Sequence, residues 1–175
     1  MHDGKPANGR YYTDGDDLLA QGDIFMEIPF GHPFPPEAIS HGERLYLSGP
    51  FETGFGMLIS PTGSFRNGDG YAHPVRVVAP ILSLERMVAD GALTESAAAA
   101  VSESDSLMQY MYLPAVGPMP ESVALLYHST TLHHEYLDDR RVAQLGREAT
   151  AHLKAKLATH FTEMHFEAAT FGAQP

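Results

Sequence analysis

The stretch from Phe55 to Leu82 reads FGMLISPTGSFRNGDGYAHPVRVVAPIL and contains two apolar runs separated by a polar loop. The runs GMLIS and VRVVAPIL are short and rich in branched side chains, a pattern typical of β-strands. The loop between them is rich in glycine and other turn-forming residues, which predicts a connection between two strands. A binding role for this loop stays open because it carries Arg66 and His73.

The residues before this pair predict two further strands. Residues 18–30 alternate loosely between apolar and polar side chains and predict a first strand, and residues 44–49 predict a short one. Residues 31–43 contain three prolines, which predicts an exposed loop. Residues 1–17 are rich in Gly and Asp and predict a flexible lead-in.

Helical patterns follow the pair. An insertion over about 84–109 predicts two helices, the first ending near Gly91 and the second capped by Thr94. Residues 122–137 predict either one bent strand or two paired strands. The last helix is predicted over residues 145–166, because one face repeats apolar residues every fourth position: Leu145, Ala149, Leu153, Leu157 and Phe161.

This order of elements sets the fold class. Strands come first, then the helical insertion, then more strands and a closing helix, which predicts an α+β fold. We expect one domain over residues 18–167 and a tail over 168–175.

The charge balance bears on the class of partner. The chain has 11 Lys and Arg residues and 22 Asp and Glu residues, which gives a formal net charge of -11. An acidic surface repels a phosphate backbone, so we do not expect a nucleic-acid partner. A local basic patch that overrides this would come from Arg140 with Arg141, or from Arg66 with Arg76.

The composition also bears on the compartment. Cysteine is absent, which excludes disulfides, thiolate zinc sites and thiol nucleophiles. The first residues have no apolar signal core, and no segment approaches the ~20 apolar residues that span a bilayer. We therefore expect a cytoplasmic protein with no membrane partner.

Several short motifs come in the order found in a known family. They are QGDIF, GMLIS, VVAPIL and ESVALLYHSTTLHHEYLDDRRVAQL, followed by the last helix. In this order the chain resembles the PemK/MazF group, to which many bacterial toxin endoribonucleases belong. It resembles more closely a poorly characterised bacterial set built on the same barrel, in which a cysteine follows the LIS(P/Q)T pattern. The resemblance covers roughly residues 18–161, apart from the insertion. It implies a small SH3-like, PemK-type β-barrel with a helical insertion and a C-terminal helix, and it implies a homodimer.

The catalytic positions of this family differ here. The toxins carry an Arg-Pro pair where this chain has Gly54-Phe55, and a Thr where it has Leu82, so that Ser83 alone remains. The Cys-Asp pair of the related set falls on Gly63-Ser64. RNA cleavage without a cofactor needs a base and a cation that stabilises the developing charge.

Three hypotheses follow from these differences. The first is a non-catalytic binding or accessory protein on a PemK/MazF-like barrel, without a cofactor, that recognises a protein or a small ligand. The second is a divergent toxin-type endoribonuclease with substitute residues, and the third is a His/Glu metal-dependent enzyme. For either of the first two we predict a binding face made of Arg66, His73, Arg76 and Ser83, next to the loops that roof the substrate groove in toxin barrels.

The metal hypothesis depends on the histidine-rich stretch HSTTLHHEY. On an extended strand His133 and Glu135 share a face while His134 points the other way. His128 joins them only if the chain folds back on itself. A mononuclear site needs about three converging ligands, so we predict no bound metal and name His128, His133 and Glu135 as the candidate ligands.

Overall fold

The structure is a computed structural model. It describes residues 11–13, 18–31, 37–41, 44–48, 51–67, 70–71, 73–104 and 109–171. Side chains are described in the same ranges except at 37–41, 44–48, 65–67, 70–71, 104 and 163–171.

The described residues form twelve strands, four α-helices and one 3-10 helix. The strands are β1 (Tyr12–Thr13), β2 (Asp23–Gly31), β3 (Glu37–His41), β4 (Arg44–Ser48), β5 (Phe51–Leu58), β6 (Arg66–Asn67), β7 (Gly70–Tyr71), β8 (Val75–Ser83), β9 (Tyr110–Leu113), β10 (Ser122–Leu125), β11 (Thr130–His133) and β12 (Arg141–Leu145). The α-helices are α1 (Thr62–Phe65), α2 (Leu84–Ala89), α3 (Glu95–Ser104) and α4 (Arg147–Phe171), and the 3-10 helix is His134–Tyr136.

Eight strands form one antiparallel sheet that curls into a half-barrel. The strand order is β1-β12-β2-β5-β8-β10-β9. β10 and β11 both pair with the same edge of β8, β10 along its last residues and β11 along its first. The hydroxyl of Tyr11 donates to the carbonyl of Tyr112, and the hydroxyl of Tyr12 donates to the carbonyl of Pro114 at 2.6 Å. These hydrogen bonds join the two outer strands, so the sheet curls until its edges approach each other.

Side chains on both faces of the central strands are buried. The inner face and α4 share one core cluster, which includes Ile24, Met57, Ala79 and Leu153. The strand residues that alternate with these inner-face residues point outward, into two smaller clusters. One of these includes Phe25, Leu58, Val78 and Leu137, and the other joins α2 and α3 to β9 and β10. Burial on both faces explains why VRVVAPIL is an almost continuous apolar run with no polar alternation.

Most of the predicted elements are confirmed. Strands form at both apolar runs of the opening stretch, and the fold is mixed α and β with a C-terminal helix. The first insertion helix ends before Gly91, whose φ of 72° is the left-handed conformation that favours glycine. The side chain of Thr94 accepts a hydrogen bond from the backbone N–H of Ala97 and caps α3.

Several segments differ from the predictions, and the predicted loop between β5 and β8 contains α1 and the β6–β7 hairpin. The predicted loop 31–43 contains β3, which pairs with β4 in a separate hairpin. The segment 122–137 forms two strands that pair with β8 and not with each other. Tyr12, placed in the predicted lead-in, pairs with Leu145 and is buried. These predictions came from local composition and pattern, whereas pairing with another strand decides each structure.

The helices do not include a membrane-spanning candidate. Among the residues that the structure describes, no helix has both the length and the apolar character needed to cross a bilayer.

Gly56 lies where β5 approaches its neighbours most closely. A Cβ atom at this position would lie 2.6 Å from Cγ1 of Val78, whereas a Cβ at Gly54 would meet nothing within 4 Å. We expect Gly56→Ala to lower the free energy of unfolding by about 1–3 kcal/mol, because the buried Val78 has to shift. Gly54→Ala is the matched control on the same strand and is expected to stay within about 0.5 kcal/mol of the parent. Urea denaturation measures both, and equal effects would contradict the close approach of β5 and β8.

Candidate functional site

An apolar groove of about 570 Å³ opens where the inner face of β8 extends beyond the core. We call it the His73 groove. Its polar atoms come from Ser60, Ser64 and His73. Its apolar walls are Ile59, Pro61, Pro74, Val75, Val77 and Phe161.

The alternation of β8 decides which side chains reach this groove. Val75 and Val77 point to the groove side, and Val75 is 52% exposed. Arg76, between them, points to the opposite face and is fully buried. The Ser60 hydroxyl accepts a hydrogen bond from the backbone N–H of Val77 at 2.7 Å. This bond holds the segment after β5 against β8, so that the groove has a fixed floor.

Phe161 forms the wall contributed by α4. It is the last member of the predicted apolar stripe, but it is 50% exposed, whereas Ala149, Leu153 and Leu157 are buried. The expectation that Phe161 is buried was therefore wrong. The stripe is continuous along the helix, but the core beneath it ends before Phe161. The ring of Phe161 therefore borders the groove and not the core.

Arg76 is placed differently from what a binding face requires. Its guanidinium donates to the backbone carbonyls of His73 and Val75, the second at 2.9 Å. Because the side chain is fully buried, its charge is not presented to solvent. In this position Arg76 fixes the carbonyls of the segment that leads into β8, and His73 is the exposed residue of the pair.

His73, Arg76 and Ser83, the predicted binding residues with described side chains, do not meet in one site. His73 and Ser83 lie at opposite ends of β8, on the order of 25 Å apart along a nine-residue strand. The backbone of Arg66 begins β6, two residues after Ser64 of the groove, and its side chain lies outside the described part. Of the predicted binding residues whose side chains the structure describes, His73 alone lines this groove.

Ser83 lies in a second, smaller cleft of about 230 Å³. Gly54, Phe55 and Leu82 line the same cleft, so the positions to which the resemblance assigns the toxins' catalytic residues are neighbours in space. The hydroxyl of Ser83 accepts a hydrogen bond from the backbone N–H of Arg86 at 3.0 Å and caps α2.

Arg86 is the only cation among the described residues that line this second cleft. Its guanidinium lies 3.1 Å from a carboxylate oxygen of Glu52 and 3.4 Å from one of Asp90. The first of these carboxylates contributes most to raising the pKa of Arg86. Two carboxylates around one guanidinium leave no net positive charge in the cleft.

A cluster of possible metal ligands lies beside the His73 groove. His133 is paired directly with Val75 across β11 and β8, so its side chain lies on the same face of the sheet. The chain turns into the 3-10 helix at His134, which brings His134 to His133 and Glu135. Of the described residues, these three form the group of possible ligands whose atoms all lie within 4.8 Å of one another. The prediction that His134 points away was therefore wrong, and His128 does not belong to the group.

The site residues that sequence reasoning missed are Val75 and Phe161 in the groove and His134 in the cluster. Both of the first two are apolar: Phe161 was expected to be buried, and Val75 was assigned only to a strand. The signal for the third was the unusual density of histidine in HSTTLHHEY, but its geometry depends on where β11 ends.

No known protein family matches this chain, and a search of curated proteins found no similar sequence. The functional interpretation therefore depends on the residues and their geometry.

Proposed function

We propose that this chain is a non-catalytic binding or accessory protein on a PemK/MazF-like barrel. In this proposal the His73 groove receives an apolar small molecule or an apolar side chain of a protein partner. The observation that carries the proposal is the lining of the groove. It is mostly apolar, and none of its described lining residues is Lys or Arg. A volume of about 570 Å³ is in the range of pockets that enclose small ligands.

The polar groups of the groove would orient a ligand. The exposed imidazole of His73 and the hydroxyl of Ser64 lie at its border, and the hydroxyl of Ser64 already donates to the carbonyl of Pro61. A few polar atoms in an apolar groove provide specificity, while the apolar contact area provides most of the affinity.

The barrel assignment is supported by two features of the sheet. The sheet curls until hydrogen bonds join β1 to the end of β9, and the residues that match the toxins' catalytic positions meet in one cleft. At those positions Gly54 and Leu82 supply neither a cation nor a hydroxyl. Arg86, the neighbouring cation, is neutralised by Glu52 and Asp90.

The alternative function, a divergent endoribonuclease, has less support. Its substitute residues would have to act together on one phosphate. Arg76 is buried, and His73 lies at the other end of β8 from Ser83. A formal net charge of -11 adds a field that repels RNA.

Binding of the neutral apolar dye prodan tests the groove. We expect a saturable blue shift of its emission with the parent chain, and at least about tenfold weaker binding to Val75→Asp, because the new carboxylate has to be desolvated. Phe51→Asp is the matched control. Phe51 is 65% exposed and lies at the distant end of β5, so this variant should bind the dye like the parent.

Incubation with a fluorescein-labelled single-stranded RNA tests the alternative in the same preparations. We expect no cleavage and no salt-dependent binding. RNA cleavage, or dye binding that is equal in the parent and Val75→Asp, would contradict the proposal. Native mass spectrometry of protein purified without added ligand then shows whether a ligand is retained, as a mass that disappears on denaturation.

A further inference from the structure

Three side chains with metal-binding groups follow one another at the end of β11. They are His133, His134 and Glu135, and one potential ligand atom from each lies within 4.8 Å of the others. Nδ1 of His133 is 3.5 Å from Oε2 of Glu135, and the two imidazole rings stack with their centroids 4.8 Å apart. This convergence involves side chains that the His73 groove does not use.

These distances are close to those of a metal site. With metal–ligand bonds of about 2.0–2.2 Å, neighbouring ligands around an ion are about 3.0–3.5 Å apart. The His133–Glu135 distance already has this value. The longest distance has to shorten by about 1.5 Å. Rotation of exposed side chains can do this, since the side chains of His133 and Glu135 are 49% and 77% exposed.

The backbone that carries the three ligands is held in place. The N–H of His134 donates to the carbonyl of Pro74 at 2.8 Å, and Leu137, just after the 3-10 helix, is fully buried. The hydroxyl of Tyr136 donates to the carbonyl of Glu27 at 3.0 Å, and the guanidinium of Arg140 lies 4.1 Å above the Tyr136 ring. Only side chains therefore have to be ordered when an ion binds, which lowers the entropic cost.

The local charge also favours a cation. Oδ2 of Asp138 lies 3.8 Å from Nδ1 of His134, so a second carboxylate beside that of Glu135 adds negative charge that attracts a cation. Two imidazoles and one carboxylate suit Zn²⁺, Co²⁺, Ni²⁺ or Cu²⁺ better than Mg²⁺ or Ca²⁺, which prefer oxygen ligands.

We propose that His133, His134 and Glu135 form a binding site for one divalent transition-metal ion of the Zn²⁺ type, with water completing its coordination. The site lies at the edge of the His73 groove, because His133 is the cross-strand neighbour of Val75. The proposal concerns metal binding alone and does not depend on the binding function proposed for the groove.

Titration with Co²⁺, followed by its visible absorption, tests the site in the full chain without a histidine tag. We expect one ion per chain with a dissociation constant on the order of micromolar, and displacement of Co²⁺ by Zn²⁺. His133→Ala and His134→Ala should each weaken binding by about tenfold or more, and Glu135→Gln should do so without a change in shape.

His128→Ala is the matched control, because His128 is an exposed histidine of the same segment that lies outside the cluster. Circular dichroism of each variant shows whether it is folded. Absence of Co²⁺ binding by the parent, binding unchanged in both cluster variants, or loss only in His128→Ala would each overturn the proposal.

Discussion

Replacing Leu153 by alanine is expected to lower the free energy of unfolding by about 2–5 kcal/mol. Leu153 is fully buried between Ala149 and Leu157 on the face of α4 that packs into the curled sheet. Truncation removes apolar contacts and leaves a cavity that strands on several sides cannot fill without moving. The change is large because the same core cluster joins α4 to both outer strands, β1 and β9.

Lys154→Ala is the control for this variant. Lys154 is the next residue on α4 and is exposed, so its replacement should change the free energy by less than about 0.5 kcal/mol. Urea denaturation of both variants gives the comparison. A loss below about 1 kcal/mol for Leu153→Ala would show that α4 does not pack inside the half-barrel as described.

Arg141→Met is expected to destabilise the fold by about 3 kcal/mol at neutral pH, because it leaves Asp23 as a buried charge without its ion-pair partner. NH1 of Arg141 lies 3.3 Å from Oδ2 of Asp23, and the Asp23 side chain is fully buried. The value is at the lower end of the range for broken buried pairs, because Asp23 keeps hydrogen bonds from Gln144 and from the backbone N–H of Ala20.

The effect of Arg141→Met should depend on pH. Burial raises the pKa of the Asp23 carboxyl above its ordinary value, while hydrogen bonds and the Arg141 charge act in the opposite direction. Asp23 therefore holds its proton more tightly in the folded state. Its contribution to stability is present below the ordinary Asp value of about 3.9 and is lost as pH rises through the folded value.

Removing Arg141 raises this pKa further, because one of the lowering influences is lost. The difference between parent and variant should therefore shrink when the pH is lowered from about 7 to about 4, where Asp23 becomes protonated. Arg147→Met, the same replacement at an exposed position, should show neither the loss nor the pH dependence. Denaturation at both pH values checks this, and a loss that is constant with pH would exclude Asp23 as its cause.

The sequence predicted only part of the groove. For the groove, His73 was predicted as a binding residue, whereas Val75 and Phe161 were read as ordinary apolar positions of a strand and a helix. The apolar periodicity of α4 places Phe161 on the correct face of the helix, but periodicity gives only the direction in which a side chain points. Whether a core lies beneath that side chain depends on how far the sheet extends.

The metal cluster shows the same limit at a smaller scale. His133, His134 and Glu135 are adjacent in sequence, yet strand geometry assigns His134 to the opposite face. The tertiary structure ends β11 at His133, where the N–H of His134 donates to Pro74, and the following 3-10 turn reverses that assignment. Arg76 shows the converse case. Its charge predicted an exposed binding residue, whereas its register opposite Leu132 on β11 places it inside the protein.

Local physical chemistry was sufficient for the features whose causes lie within a few residues. The branched side chains of VRVVAPIL specified β8, Thr94 and Gly91 specified helix ends, and apolar residues at every fourth position specified α4. The absence of cysteine and the acidic charge were also settled by composition. Only the tertiary structure decided which strands pair, that β10 and β11 share one edge of β8, and where the core beneath α4 ends. Strand pairing and the extent of the core depend on contacts between residues far apart in sequence. The His73 groove and the metal cluster lie at the border of the core, so their geometry depends on the same contacts.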